Sequence, residues 1–518
     1  MRARPELQST VDRLRSSVVA HPFFYTATLL AIVPRLFTML GFQTAVLFRL
    51  DTFDYLWGAV HVSPNPINPS GYSFFLWLLR PAGSLVLITA LQHLMGLAVA
   101  VMVYLVLQRH GVADWLATVA ALPVLFDPGQ LMLEQLIMSD MLGLFLLIAS
   151  LTVLLLRRMP SVWRSATAGA LMGLSALVRP TVLPLILLVP LFLLARRGWR
   201  QAAAALLAGV VPLVAYGLWF SAVWGTFGLT NSDGLFLWSR SMTFAQCSVI
   251  KPPSNLEPLC PSAQPGRLGQ VPLAHRPPPT YYLWNHDAWM WRDTRPTFAP
   301  DEWAFTSHNN QLGRDFGIRA IEAQPVGYLS SVAHGVLTGF TGRHPLRFPQ
   351  QQPVLRLTGS TYTYALAALN AYTGSSQGFG PYMGPRYATR LIGPFAYLIG
   401  EYQKAIYLPG PVFGAVLLVG LVGLLIPKRR SAAAVLLWAS AIVLIVVPVA
   451  EHEYDPRYLI PAVPLGCMAA ALAFRDRSKD TDTQADSKHT QADPAPAARG
   501  GAEGPPSEGV KGAGLEAS

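Results

Sequence analysis

From Leu85 to Gln108 the chain reads LVLITALQHLMGLAVAVMVYLVLQ, with no Asp, Glu, Lys or Arg. An α-helix needs roughly 20 apolar residues to cross the hydrocarbon of a bilayer. Runs of similar character recur along the sequence. Inside a bilayer every backbone amide must be satisfied within the protein, which leaves only helices and closed β-barrels. Barrel strands alternate apolar and polar residues over about ten positions. These runs are continuous, so they predict an α-helical polytopic membrane protein.

Composition agrees. Of 518 residues, 52% are hydrophobic and 13% charged, where soluble domains carry roughly 25% charge. The formal charge is +11. The basic residues cluster in short stretches between apolar runs, where they set membrane orientation, and no nucleic-acid-binding module is present. Three cysteines without a CxxC pair argue against a structural zinc site. The first apolar run is long and lacks a small-residue cleavage site, so no signal peptide is expected.

About ten transmembrane helices are predicted, within a range of about 8 to 12. Residues 1–22 form a cytoplasmic N-terminal segment, and residues 23–224 a transmembrane core with outer loops 47–82 and 127–135. Residues 225–405, rich in Pro, Trp and Tyr, form an extracytoplasmic domain, because a connection of that length needs structure of its own. Residues 406–474 supply the C-terminal helices, and 475–518 a disordered cytoplasmic tail rich in Ala, Gly, Pro and Ser. Every predicted inside turn is basic: Arg157–Arg158, Arg196–Arg200, Lys428–Arg430 and Arg475–Lys479. Two spans flanking Arg179–Pro180 are short. Cys247 and Cys260 both fall in the outer segment, where a disulfide and two buried thiols are equally acceptable.

The ionisable residues near spans gather at predicted outer ends: Asp51, Asp54, Glu134, Asp140, Arg179, Glu451, His452, Glu453, Asp455 and Arg457. A charge in the bilayer core costs a few kcal/mol even on the lenient scale, so an interfacial position is the economical one. Taken singly, each has an ordinary reading, as a solvated loop acid or as an arginine snorkelling to headgroups. Their order along the chain is more informative than any one of them.

That order resembles the GT-C superfamily of membrane glycosyltransferases, which use lipid-phosphate sugars. The resemblance rests on DTFDY at 51–55, NPSGY at 68–72 leading into FFLWLL, LEQLIMSD at 133–140, GLSALVRP at 173–180 and RYLIP at 457–461. It covers mainly residues 25–195 and 450–465 and is closest to the phospholipid-carrier-dependent branch, related to protein O-mannosyltransferases and lipid A aminoarabinose transferases. Two positions depart from that branch: Thr52 follows Asp51 where an acid is common, and Asn68 precedes the loop proline where a basic residue is common.

The resemblance implies transfer of a sugar from a polyprenyl-phosphate donor to a hydroxyl of a lipid, glycan or protein acceptor, at the outer face of the cytoplasmic membrane. Asp51 takes the role of general base, and one base with direct displacement implies inversion. Asp54 and Tyr55 join it in substrate binding, Glu134 and Asp140 shape the acceptor side, and Arg179, Arg457 and His452 face the lipid phosphate. A divalent cation bridging Asp51 and the phosphate is compatible with oxygen ligation, although no ligand set demands one. The aromatic stretch Tyr281, Tyr282, Trp284, Trp289 and Trp291 suits sugar stacking, but ordinary packing is the preferred reading. The rival function is a transporter or lipid-carrier flippase, which would place polar groups at the midplane within inverted repeats. A scaffolding membrane protein is a third reading. The Ala-, Gly-, Arg- and Pro-rich composition points to a GC-rich bacterial genome.

Overall fold

The computed structural model describes residues 21–48, 51–264, 271–284, 305–341, 346–349, 382 and 389–476. Helices stand along the apolar runs of the sequence. Five are long and apolar enough to cross a membrane: Pro22–Gly41 (α1, Pro22–Leu30, with α2, Ile32–Gly41), Leu85–Arg109, Trp199–Trp224, Ala432–Glu451 and Pro456–Phe474. Two bent pairs raise that number to 7: Asp114–Phe126 with Pro128–Gln135, and Phe395–Ala405 with Gly410–Leu425. Three shorter apolar helices, Ser139–Leu155, Val162–Val178 and Pro180–Ala195, complete the set. The chain is an α-helical polytopic membrane protein.

In chain order, α3 is Asp51–His61, α4 Gly71–Leu79, α5 Leu85–Arg109, α6 Asp114–Phe126, α7 Pro128–Gln135, α8 Ser139–Leu155 and α9 Val162–Val178. They are followed by α10, Leu185–Ala195, α11, Trp199–Trp224, α12, Asp233–Ser241, α13, Ser307–Ala323, and α14, Pro325–Thr341. The C-terminal part holds α15, Phe395–Ala405, α16, Gly410–Leu425, α17, Ala432–Glu451, α18, Pro456–Leu459, and α19, Val463–Ala471. A two-residue antiparallel pair sets Phe42 against Leu391 and Gln43 against Arg390.

Local chemistry starts these helices where they start. Ser84 and Ser431 cap α5 and α17, their hydroxyls accepting from Leu87 N at 3.2 Å and Ala434 N at 3.0 Å. Such a cap satisfies an amide that the helix cannot. Close packing of α9 on α11 depends on small residues, as in other membrane helix pairs. A Cβ at Gly169 would lie 2.0 Å from Ala205 O, and one at Gly173 would lie 2.2 Å from Gly209 O. Leu94, Leu207, Leu418 and Leu425 stay exposed on the outside of the bundle, where lipid is the natural neighbour.

The two bent pairs are tied at their breaks. Asp127, between α6 and α7, accepts from Gly129 N at 2.8 Å and from Leu408 N, in the break between α15 and α16, at 2.7 Å. Tyr402 of α15 donates to Phe126 O.

Residues 127–135, predicted as an outer loop, contain α7 (Pro128–Gln135), in which every residue is buried. The local sequence PGQLMLEQ is short and mixed, so its hydropathy does not reveal the packing around it. In the 225–405 segment, Cys247 and Cys260 form a disulfide, which resolves the sequence alternatives. A small core of Leu235, Trp238, Phe244, Leu259, Tyr282, Phe305 and Phe316 surrounds it and takes in Ile67 from the first loop. Tyr282 is fully buried and Trp284 packs against the same core, as the packing reading expects. Trp289, Trp291, residues 1–20 and the tail from 477 lie outside the described residues.

Candidate active site

Four elements, remote in sequence, meet at one end of the bundle. Asp51 is the first residue of α3. Asp140 stands in the first turn of α8, where the helix dipole favours a negative charge. Arg179 is the extended residue that ends α9. Arg457 lies in α18, whose N-cap Asp455 accepts from Arg457 N at 2.9 Å.

Arg457 links them. Its Nη1 is 3.6 Å from Asp51 Oδ2 and 4.0 Å from Asp140 Oδ2, and its Nε is 3.7 Å from Asp455 Oδ2. Asp140 is fully buried and pairs through its other oxygen with Arg179. Tyr458 lies between the two arginines: its ring centroid is 5.5 Å from the Arg179 guanidinium carbon and 5.1 Å from that of Arg457. Phe48 covers Arg457 from another side at 4.7 Å. A flat guanidinium stacks on aromatic faces while its edge keeps donors for oxyanions. At position 143 of α8 a side chain would strike the Arg179 stem, since a Cβ there would lie 3.0 Å from Cγ and Cδ.

Tyr55, one turn past Asp51 on α3, donates to Ser139 Oγ at 3.0 Å and packs edge-on against Tyr72 at 5.0 Å. Burial first, and Asp51 second, push its phenol well above the ordinary tyrosine range, so it stays a neutral donor. Asp54 is buried on the same helix. A narrow, mostly apolar crevice of about 10 Å³, room for about one water molecule, opens beside this cluster. Arg179 and Tyr458 form its polar end, and Leu144, Leu147, Val182 and Leu444 line the rest.

The structure thus brings together Asp51, Tyr55, Asp140, Arg179 and Arg457. Glu134 is placed apart from them. It is fully buried and held by Arg35 Nη2 at 2.9 Å, His93 Nδ1 at 2.7 Å and Gln130 Nε2 at 3.0 Å. Arg35 also donates to Leu125 O at 2.8 Å and Val124 O at 3.1 Å, so this network braces the last turn of α6 against α2. Arg35 and His93 escape a hydropathy reading because each sits within an apolar run, and their partner is distant in sequence.

His452 ends α17 and turns toward α12. Its Nδ1 is 3.1 Å from Ser239 Oγ and its ring meets Phe236 at 4.9 Å. Burial, with Arg240 and then Arg457, pushes its pKa down to about 3. Burial thus favours the neutral imidazole, whose Nδ1 lies within hydrogen-bond reach of Ser239. Tyr458 and Ser139 are the site residues missed in the sequence. Both lie inside quoted motifs, immediately beside a selected charge.

Among the described residues, no three His, Cys, Asp or Glu side chains converge to hold a metal ion. The positive charge facing Asp51 and Asp140 comes from arginine.

No protein-family model matches the chain, and no curated protein matches it. A crystal structure of the Archaeoglobus fulgidus oligosaccharyltransferase in its apo form is similar at 13% sequence identity, with a TM-score of 0.36. The match covers 92% of this chain and 53% of that one, so this chain spans about half the length of the solved protein.

Proposed function

We propose that this protein is a GT-C-type glycosyltransferase that moves a sugar from a polyprenyl-phosphate donor to an acceptor hydroxyl at the outer face of the cytoplasmic membrane. The reading rests on one observation: Arg457 stands within 4.0 Å of carboxylates from two other elements, Asp51 and Asp140, at one end of a membrane bundle.

A lipid-borne sugar has its reactive carbon at the membrane surface and its tail in hydrocarbon. The acid cluster at the helix ends suits the polar half, and the exposed apolar sides of the membrane helices suit the lipid tail. In the proposed reaction, Asp51 takes the proton of the acceptor hydroxyl as that oxygen forms a bond to the anomeric carbon. The bond from that carbon to the phosphate oxygen breaks, and the electron pair leaves on the lipid phosphate. General-base help of this kind is worth about 10²–10⁴ in rate. Arg457 and Arg179 supply forked donors for the growing phosphate charge. Attack opposite the leaving group inverts the anomeric centre.

The outward orientation draws on two features. The basic turns at Arg157–Arg158, Arg196–Arg200 and Lys428–Arg430 lie at helix ends opposite to Asp140, Arg179 and Glu451, as expected if the basic ends are cytoplasmic. The Cys247–Cys260 disulfide fits an oxidising compartment.

The transporter or flippase reading gains from the two bent pairs, since broken helices mark many carriers. Asp127 at their junction, however, is engaged by three backbone amides. Purified protein in lipid discs, given a panel of radiolabelled lipid-linked sugars and acceptors, separates the two readings. A labelled product supports transfer, whereas movement of intact donor across the membrane with no product supports the carrier.

A further inference from the structure

Helix α14 is unlike the rest of the segment that contains it. Its 17 residues, PVGYLSSVAHGVLTGFT, include no Asp, Glu, Lys or Arg, whereas α13, just before it, has four charged residues among its last ten. Hydropathy averaged over the whole segment hides this difference.

One face of α14 packs on the ends of two membrane helices. Tyr328 donates to Ala450 O at 3.1 Å. A Cβ at Gly335 would lie 2.6 Å from Val449 Cγ1, and one at Gly339 would lie 2.8 Å from the Tyr454 ring. On α16, a Cβ at Gly410 would lie 2.4 Å from Gly339 O. Gly335 and Gly339 are four apart, the small-residue spacing that lets membrane helices approach closely.

The pattern of partners fixes the direction of the helix. From Tyr328 to Phe340, α14 advances about 18 Å at 1.5 Å per residue. Over that length its partners on the membrane helices remain within the last turn of α17, the following loop and the first turns of α16, while Ser331 meets Thr243, just past α12, at 2.8 Å. A helix running alongside α17 would meet partners progressively deeper along it. Helix α14 therefore lies across the bundle end, at the level where α16 and α17 leave the hydrocarbon.

Its open side carries an apolar strip, with Val326 78% exposed, Leu329 64%, Leu337 59% and Ala333 between them, bordered by a polar strip of exposed Ser330, His334 and Thr338. Positions 326, 329, 333 and 337 follow the helical repeat and form one stripe. This stripe adjoins α16, whose own outer side exposes Val412, Leu418, Val422 and Leu425. We propose that α14 is an in-plane membrane helix, seated in the leaflet at the end of the bundle that carries Asp51, with Val326, Leu329, Ala333 and Leu337 against lipid. Lipid is chosen over a protein partner because the stripe carries no charge, continues the lipid-facing side of α16 and sits at the depth of a bilayer interface. In that position α14 brings lipid headgroups to within about one helix diameter, 10–12 Å, of the loop that bears His452 and Asp455.

The test is site-directed spin labelling of the full chain in lipid discs, on a Cys467→Ala background that keeps the native disulfide. Single cysteines replace Leu329, Ala333 and Leu337, with Glu322→Cys on α13 as the control. The proposal expects strong relaxation by dissolved oxygen and weak relaxation by a water-soluble nickel chelate at 329, 333 and 337, with the reverse at 322. Strong nickel relaxation at all four positions would place the stripe in water and overturn the proposal. Protection from both agents at 329, 333 and 337 would show a protein cover, from this chain or a second copy, and would overturn it equally.

Discussion

Asp51 and Asp140 are bridged by one guanidinium: Arg457 Nη1 is 3.6 Å from the first and 4.0 Å from the second. The bridge joins α3, α8 and α18, which are far apart in sequence. It also gives Arg457 a partner to exchange. An incoming phosphate competes with the two carboxylates for the same donors, so donor binding and release of Asp51 are coupled in the proposed reaction.

Asp51→Asn keeps the shape of the side chain and removes its ability to accept a proton. Expression and membrane insertion should be unchanged, while the rate of sugar transfer falls by about 10²-fold or more. Initial rates with a radiolabelled donor check this. Transfer at the normal rate would remove Asp51 from the role of base.

Arg457→Lys keeps the charge and loses the fork that addresses two oxygens at once. The KM for the lipid-phosphate donor should rise more than the KM for the acceptor, and Arg457→Ala should raise it further. Steady-state kinetics with each substrate varied in turn separate the two effects. Equal changes in both KM values would make Arg457 a structural arginine.

Glu134→Ala leaves Arg35, 3% exposed, and His93, 4% exposed, without their shared carboxylate. Breaking a buried pair on one side costs about 3–5 kcal/mol. Thermal unfolding in detergent should show a clear fall in Tm. An unchanged Tm would mean that the network does not brace α6 against α2.

His452 predicts how stability varies in acid. Its folded pKa is pushed down to about 3 from an ordinary value of 6.5. Between those values the unfolded chain binds a proton that the folded chain refuses, so stability falls as pH drops through this window. His452→Gln should flatten the decline. Tm measured from about pH 7 to pH 4 in both proteins checks the sign, and identical slopes would show that His452 does not titrate on unfolding.

Much of the architecture is readable from residues in order. The apolar runs mark the spans, because a helix in hydrocarbon buries consecutive residues and hydropathy adds along a segment. The motifs DTFDY, SD and RY bring attention to Asp51, Asp140 and Arg457, three residues that do meet in the fold. Glu134 shows the limit of this approach. It reads as one more acid beside a span, yet it faces Arg35 and His93, away from the cluster. Helix α14 shows another limit, since a charge-free stretch inside a polar segment is invisible until its packing face and its open face are separated.

Sequence alone determined that this chain threads a membrane as helices, where the apolar helices fall and which of their ends are basic, since these follow from contiguous composition and from solvent transfer. Tertiary structure decided which acids meet which arginines, that residues 128–135 are buried, and that the two cysteines pair. Those outcomes depend on distances between residues far apart in the chain, and such distances are set only when helices pack.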